Sequence, residues 1–309
     1  MSYSIKQLRK MIYDEKRLPP DFDQWYLEID KEGATIAHLA AMHRCLPPDF
    51  DKWYLRDNKY GYTVAHIVGR YDNLPSNFNY WELTNKYGRS VAHEAARSGC
   101  LPPDFNRWYL RDKNGWTVAH EAAHYGNLPS DFNQWGWTNK YRRSVAHEAV
   151  RHIYLPPDFD QWDIVDTSGW TVANEAVRHG RLPSNFDKWD IASKYDGYTI
   201  AHAAAFYNHL PSGFNQWNLT DFEGWTVAHE AARFGHLPPD FNQWELADKD
   251  GRTVAHTAVY RDVLPSDFNQ WELTDNNGRT VAQMAYEHDH LPPNFDRWDL
   301  IEKRQENYS

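Results

Sequence analysis

The sequence predicts an all-α repeat solenoid, and three observations predict it. A tryptophan recurs every 27 or 28 residues, at Trp25, Trp53, Trp81, Trp108, Trp135, Trp162, Trp189, Trp217, Trp244, Trp271 and Trp298. Between these tryptophans one string returns with edits, most cleanly at residues 224–244 as G-W-T-V-A-H-E-A-A-R-F-G-H-L-P-P-D-F-N-Q-W. Within it a capping residue, an alanine-rich run and a Gly, Asn or Asp follow in the order that starts and stops a helix. A fixed period of this length marks architectures in which each unit buries its apolar face against its neighbours. The expectation is about ten units, each of helix, short helix and loop.

The elements follow in order. Residues 1–17 precede the first Leu-Pro and form an N-terminal capping helix. Ser4 stands at its start, Ile5, Leu8, Met11 and Ile12 lie on one face, and Lys6, Arg9, Lys10 and Glu15 lie on the other. The array then runs over residues 18–300 without an internal boundary, and 301–309 is a charged tail.

Each unit opens with Leu-Pro-Pro or Leu-Pro-Ser and continues as Asp21-Phe22-Asp23-Gln24-Trp25 does. Proline suits a first helical turn and Asp, Asn or Ser accept its free N–H groups, so this stretch predicts a helix of one or two turns carrying Phe and Trp. A polar loop follows and ends on Gly at nine of its positions, with Arg142 as the exception. All three 28-residue spacings place their extra residue between Trp and this Gly, as an exposed tip allows. Thr or Ser then caps a helix x-T-V-A-H-E-A-A, whose invariant Ala implies close helix approach. The helix meets Gly99, Gly126, Gly180, Gly235, Asn208, Asp72, Asp262 or Asp289, residues that tolerate a left-handed cap. Glu94/Arg97, Glu148/Arg151, Glu175/Arg178 and Glu230/Arg233, three apart, suit an exposed helix face.

At residues 221–237 the pattern D-x-x-G-x-T-x-x-H-x-A-A-x-x-G-x-L resembles the first half of the ankyrin repeat, and the resemblance extends over ten copies. Val and Ala stand where that family has Pro and Leu, and the family's second helix is replaced by P-x-F-x-x-W. The resemblance implies a shortened ankyrin-like variant in which Phe and Trp fill the volume of the lost turns. It further implies a hydrogen-bonding role for the His row, and a protein partner held by loop tips and a concave helix face.

Composition narrows the function. The formal net charge of -10 argues against a general phosphate-binding surface. Two cysteines, Cys45 and Cys100, are too few for a disulfide framework and fit a reducing, cytoplasmic setting. No stretch reads as a signal peptide or a membrane span.

The sharpest enzyme signal is His120-Glu121-Ala122-Ala123-His124, which fits the zinc-protease pattern H-E-x-x-H. Here His120 and Glu121 are the ordinary repeat pair, and Asn174 and Gln283 fill the His row elsewhere. These replacements share hydrogen-bonding ability rather than metal affinity, so a structural bond to a neighbouring loop is expected. The D-F-D and D-F-N triplets read as turn chemistry rather than calcium ligands, because Asn replaces Asp freely. No phosphate-binding loop or nucleophile elbow is present, and no cofactor or metal is expected.

One row is left over by packing, the residue after the loop Gly: Ala34, Tyr62, Arg89, Trp116, Arg143, Trp170, Tyr198, Trp225, Arg252 and Arg279. Trp, Tyr and Arg are the residue types of binding hot spots, although an Arg/aromatic ladder stacked on itself would have the same composition. Rules also fail together over residues 128–154: Trp137 replaces Leu, Arg142 replaces Gly, and Ile153 replaces the helix-ending Gly. The expected partner-binding residues are therefore Arg89, Trp116, Trp137, Arg142, Arg143, Trp170, Tyr198, Trp225 and Arg252. Trp116, Trp170 and Trp225 are expected to be substantially exposed, so that loss of Trp170 or Trp225 weakens binding but not folding. The loop at 141–143 is expected to depart from its neighbours. The chain reads as a monomeric, non-enzymatic scaffold for another protein. The alternative is single-stranded nucleic acid or glycan on the same ridge.

Overall fold

The computed structural model describes residues 3–71 and 74–302. Asp72, expected to end a helix, lies outside the described residues, as do Met1 and Ser2 of the N-terminal cap and 303–309 of the tail. The chain forms two compact units, Met1–Leu155 and Pro156–Ser309, and the division falls at the end of the irregular stretch.

In the first unit α1 (Ile5–Lys10) runs into a π-helical turn (Met11–Glu15). Then come α2 (Ile36–Met42), α3 (Val64–Tyr71), α4 (Val91–Ser98), α5 (Val118–His124) and α6 (Val145–Ala149). Successive helices from α2 to α6 pack on one another in sequence order. Ser4 caps α1 reciprocally with Gln7, and Leu8 and Ile12 are fully buried. The second unit holds α7 (Val172–Arg178), α8 (Ile200–Tyr207), α9 (Val227–Phe234), α10 (Val254–Val259), α11 (Val281–Glu287) and α12 (Asp299–Glu302), again stacked in order. No helix among the described residues is long and apolar enough to cross a membrane.

Local chemistry sets each helix. In α9, Thr226 accepts from the His229 N–H, and the His229 ring takes the Thr226 N–H, a capping box closed by histidine. The two remaining N-terminal donors find the turn segment of their own repeat: Val227 N–H bonds the Leu219 carbonyl and Ala228 N–H the Trp217 carbonyl. Val227, Ala228, Ala231 and Ala232 are fully buried, so the small side chains let neighbouring helices approach. Gly235 at φ 72° ends the helix, as Asn208 does at φ 58° for α8. With Ile153 in that place, α6 closes after five residues on Val150 in a right-handed conformation.

The expected short helix does not form. Pro-x-x-Phe closes a single turn, for example Phe241 N–H to the Pro238 carbonyl, and a second turn closes from Leu246 N–H to the Gln243 carbonyl. Helix nucleation is costly and is recovered only by propagation, which a stretch this short cannot supply. Side-chain packing governs instead. Within each unit Phe and Trp alternate edge to face: in the second, Trp217 meets Phe241 at 5.4 Å, Phe241 meets Trp244 at 5.0 Å and Trp244 meets Phe268 at 5.6 Å. Eight of the eleven closing tryptophans are buried, as expected. Trp53 and Trp108 are half-buried, and Trp298 is 50% exposed.

The loops are hairpins, each pinched by one antiparallel bridge. Bridge partners lie six residues apart in most repeats and seven apart at Glu28/Thr35, Arg56/Thr63 and Ala192/Thr199, the three units of 28 residues. The insertions thus sit in the hairpin tips. Successive hairpins are joined by backbone bonds such as Lys113 N–H to the Tyr87 carbonyl and Lys249 N–H to the Glu223 carbonyl.

Candidate binding surface

The row residue follows the left-handed Gly, and its backbone is held from two sides. The Trp116 carbonyl accepts from the Asp112 N–H at 2.9 Å and from His93 Nε2 of the preceding repeat at 3.0 Å. His38, His66, His120, His202, His229 and His256 donate likewise to the row carbonyls of Tyr62, Arg89, Arg143, Trp225, Arg252 and Arg279. The His row is therefore the structural bridge expected of it. Each Nδ1 accepts from the Ser or Thr at the cap, as His66 does from the Thr63 hydroxyl at 2.7 Å. Both nitrogens serve the neutral ring, and burial pushes the pKa down, to about 4 at His66 and at His120.

Beneath the row lies a set of buried carboxylates. Trp116 Nε1 donates to Glu121 at 2.9 Å, Trp170 Nε1 to Glu175 at 2.9 Å and Trp225 Nε1 to Glu230 at 2.9 Å. Arg143 Nε donates to Glu148 at 2.7 Å, and Arg89 Nε to Glu94 at 3.1 Å. Two row side chains also reach the carboxylate of the following repeat: Arg89 grips Glu121 with both terminal nitrogens, and Tyr198 donates to Glu230 at 2.7 Å. Burial would raise the Glu148 carboxyl, but the hydrogen bond from His124 and the charge of Arg143 bring it below its ordinary value. The Tyr198 hydroxyl is pushed well up by burial and by its bond to Glu230.

This geometry corrects three expectations. Trp116, Trp170 and Trp225 are half-buried rather than substantially exposed, because each indole N–H is drawn down to a carboxylate. Glu94, Glu148, Glu175 and Glu230 are buried rather than on an exposed face, and their bonds run to the row. The 141–143 loop keeps its neighbours' geometry. Arg142 takes φ 57° beside φ 74° at Gly115, and Arg142 N–H bonds the Asn139 carbonyl at 3.0 Å as Gly115 N–H bonds that of Asp112. The Asn139 side chain fixes the hairpin by accepting from the Tyr141 and Arg143 N–H groups, so one strained residue is tolerated.

In the first unit the structure brings Arg89, Trp116 and Arg143 to one helix face through these carboxylates. In the second it does so for Trp170, Tyr198 and Trp225, while Arg252 is exposed. Trp137 joins the aromatic ladder instead, its ring 6.4 Å from Phe132, and Arg142 points from the exposed tip. His120 has both nitrogens engaged and His124 bonds Glu148, so the H-E-x-x-H pair is occupied by hydrogen bonds. No group of three or more His, Cys, Asp or Glu among the described residues is arranged to hold a metal ion.

Sequence reasoning missed the carboxylate row. The signal was there: the five repeats with Glu at this helix position, Glu94, Glu121, Glu148, Glu175 and Glu230, carry Arg or Trp in the row. Leu39, Ile67, Ala203, Thr257 and Met284 fill the Glu position in the others. The chain matches no protein-family model and none of the curated proteins compared with it.

Proposed function

We propose that the protein is a non-enzymatic scaffold that binds another protein along the face carrying the row. The observation that supports this reading is the bracing of Trp116, Arg143, Trp170 and Trp225 by buried carboxylates. Arg and Trp held in one geometry with an accessible edge lose little freedom on binding, and such side chains dominate interface energetics. The fold itself does not need the carboxylates, because Leu39, Ile67, Ala203 and Met284 stand at the same helix position. A buried charge is a poor route to stability compared with an apolar side chain, so its use at five repeats fits a role in positioning the row.

The resemblance to a shortened ankyrin repeat is part of this reading. What supports it is the sequence of hairpin, histidine-closed capping box, short helix and left-handed Gly. The face used is the one where the row meets the helices, rather than the hairpin tips alone.

The test uses the full chain as bait, identifies the captured protein, and then titrates that protein in purified form against wild type and Trp225→Ala. The expected result is a loss of roughly thirtyfold in affinity, the equivalent of about 2 kcal/mol. Capture that is abolished by nuclease and falls steeply with salt would identify a nucleic-acid surface instead.

A further inference from the structure

A cavity of about 380 Å³ opens in the second unit where the carboxylate row is interrupted. Trp225, Arg233, Arg252, Thr257, Tyr260 and Arg261 line it. Its wall carries three guanidinium groups and no carboxylate. Thr257 stands where the preceding repeat has Glu230, and the corresponding residue of the following repeat is Met284. Arg89, at the equivalent place, has a carboxylate from its own helix and another from the next. Among the described residues Arg252 has neither, and it pairs with the exposed Asp250 at 3.7 Å. Among the described residues no carboxylate pairs with Arg233 or Arg261, and Arg233 instead lies 5.5 Å over the Phe234 ring. Both nitrogens of the nearby His256 are engaged, so it adds no charge of its own.

We infer that this cavity takes the glutamate side chain of an acidic peptide segment of the partner, supplying from outside the carboxylate that the Thr257 repeat lacks. The assignment rests on the protein-binding reading above and names the partner's chemistry at one point. At Arg89 and Arg143 the chain supplies a carboxylate from the helix position that Thr257 leaves short. Guanidinium groups receive carboxylates through paired N–H donors. Trp225 and Tyr260 offer flat apolar walls to the methylene stem. The net charge of -10 does not oppose this at close range, since charges beyond about 8 Å are largely screened at physiological salt.

The experiment measures anisotropy of fluorescein-labelled hexaglutamate titrated with the full chain. Compared with wild type are Thr257→Glu, which restores the side chain of five sister repeats, Arg252→Gln, and the distant Arg107→Gln as a charge control. Binding is expected for wild type and Arg107→Gln, and about tenfold weaker for Thr257→Glu and Arg252→Gln. Circular dichroism melts confirm that the variants fold. Absent binding, or equal binding by all four proteins, overturns the inference. Inorganic phosphate displacing the peptide at equal concentration, or an oligothymidylate binding in its place, also overturns it. The row-dependent capture of a native partner is measured separately, so a hexaglutamate failure leaves that reading standing.

Discussion

Arg89 closes a bidentate ion pair with Glu121, 2.7 and 3.0 Å across two parallel N–H···O bonds, while its Nε reaches Glu94 at 3.1 Å. One guanidinium therefore answers two carboxylates from successive helices, α4 and α5, and both are buried. Glu94 depends on it most, since its Oε2 is buried without a hydrogen-bond partner among the described residues. Removing one partner of a buried pair leaves an uncompensated charge, typically at a cost of about 3–5 kcal/mol. Arg89→Ala is expected to destabilise the first unit by the lower end of that range, because the side chain is 20% exposed. Replacing Glu94 and Glu121 by Leu and Ala as well should recover most of the loss, as Leu39 and Ala203 occupy the position elsewhere. Urea unfolding of the three proteins checks this, and a triple variant as unstable as Arg89→Ala would show that the charges are not the cause.

The aromatic ladder carries the side of the repeat that has no second helix. Trp244 is buried and meets Phe241 at 5.0 Å and Phe268 at 5.6 Å. Trp244→Ala is expected to cost about 3–5 kcal/mol, as a large-to-small core change does. Trp298→Ala should cost well under half of that, because Trp298 is half exposed and packs on Phe295 at the end of the ladder. Equal losses in the two variants, measured by thermal melts, would mean that edge-to-face stacking between repeats contributes little.

Much of this was legible in the sequence where the chemistry is local. Thr226 and His229 are three residues apart, so the cap reads directly, and the helix end at Gly235 reads from the need for positive φ. The Phe/Trp volume was legible as well, since Phe and Trp stand three apart in every repeat where the second helix is missing. The short helix was misread because Pro238 followed by Asp240 signals a first helical turn and a β-turn equally. The carboxylate row was missed for another reason. Trp225 and Glu230 are five apart, and the contact exists only because the hairpin folds its last side chain back over the helix it precedes. Tyr198 to Glu230, 32 residues apart, depends on repeat stacking that no local rule gives.

Indole donors braced by buried carboxylates have a measurable consequence. Trp170 is half-buried and its Nε1 donates to Glu175, so its loss is expected to cost stability, against the reading of an exposed side chain. Trp170→Phe keeps a ring but deletes the donor. Loss of a hydrogen bond to a charged group is worth roughly 1.5–3 kcal/mol, and the lower end is expected at this half-buried site. An unchanged urea midpoint in Trp170→Phe would show that solvent satisfies Glu175 equally well.

Arg142 holds a left-handed conformation at φ 57° where the other described repeats have Gly. A non-glycine residue there costs roughly 1–2 kcal/mol, offset in part by glycine's greater freedom in the unfolded chain. Arg142→Gly is therefore expected to stabilise by on the order of 0.5–1 kcal/mol. A melt showing destabilisation would mean that the exposed guanidinium makes a favourable interaction that outweighs the strain.

The row of buried histidines makes stability depend on pH from 6.5 downward, beginning above the ordinary carboxylate value of 4.5. His38, His66, His93, His120, His202, His229 and His256 all have their pKa pushed down, first by burial. In the unfolded chain each takes up a proton below its ordinary value of 6.5, whereas folded His66 holds out to about 4. Between these limits the unfolded state binds more protons, so stability falls as pH falls and is fully present above 6.5. Each histidine that stays neutral contributes a slope of about 1.4 kcal/mol per pH unit. His66→Gln removes one titrating group while keeping an amide of the kind Gln283 already supplies, with its Oε1 accepting from the Thr280 N–H. Urea midpoints at about pH 7, 6 and 5 should therefore drop steeply for wild type and less steeply for His66→Gln, by close to one proton's worth of slope. Parallel lines for the two proteins would mean that His66 becomes protonated in the folded state, and that its bond to the Arg89 carbonyl survives the charge.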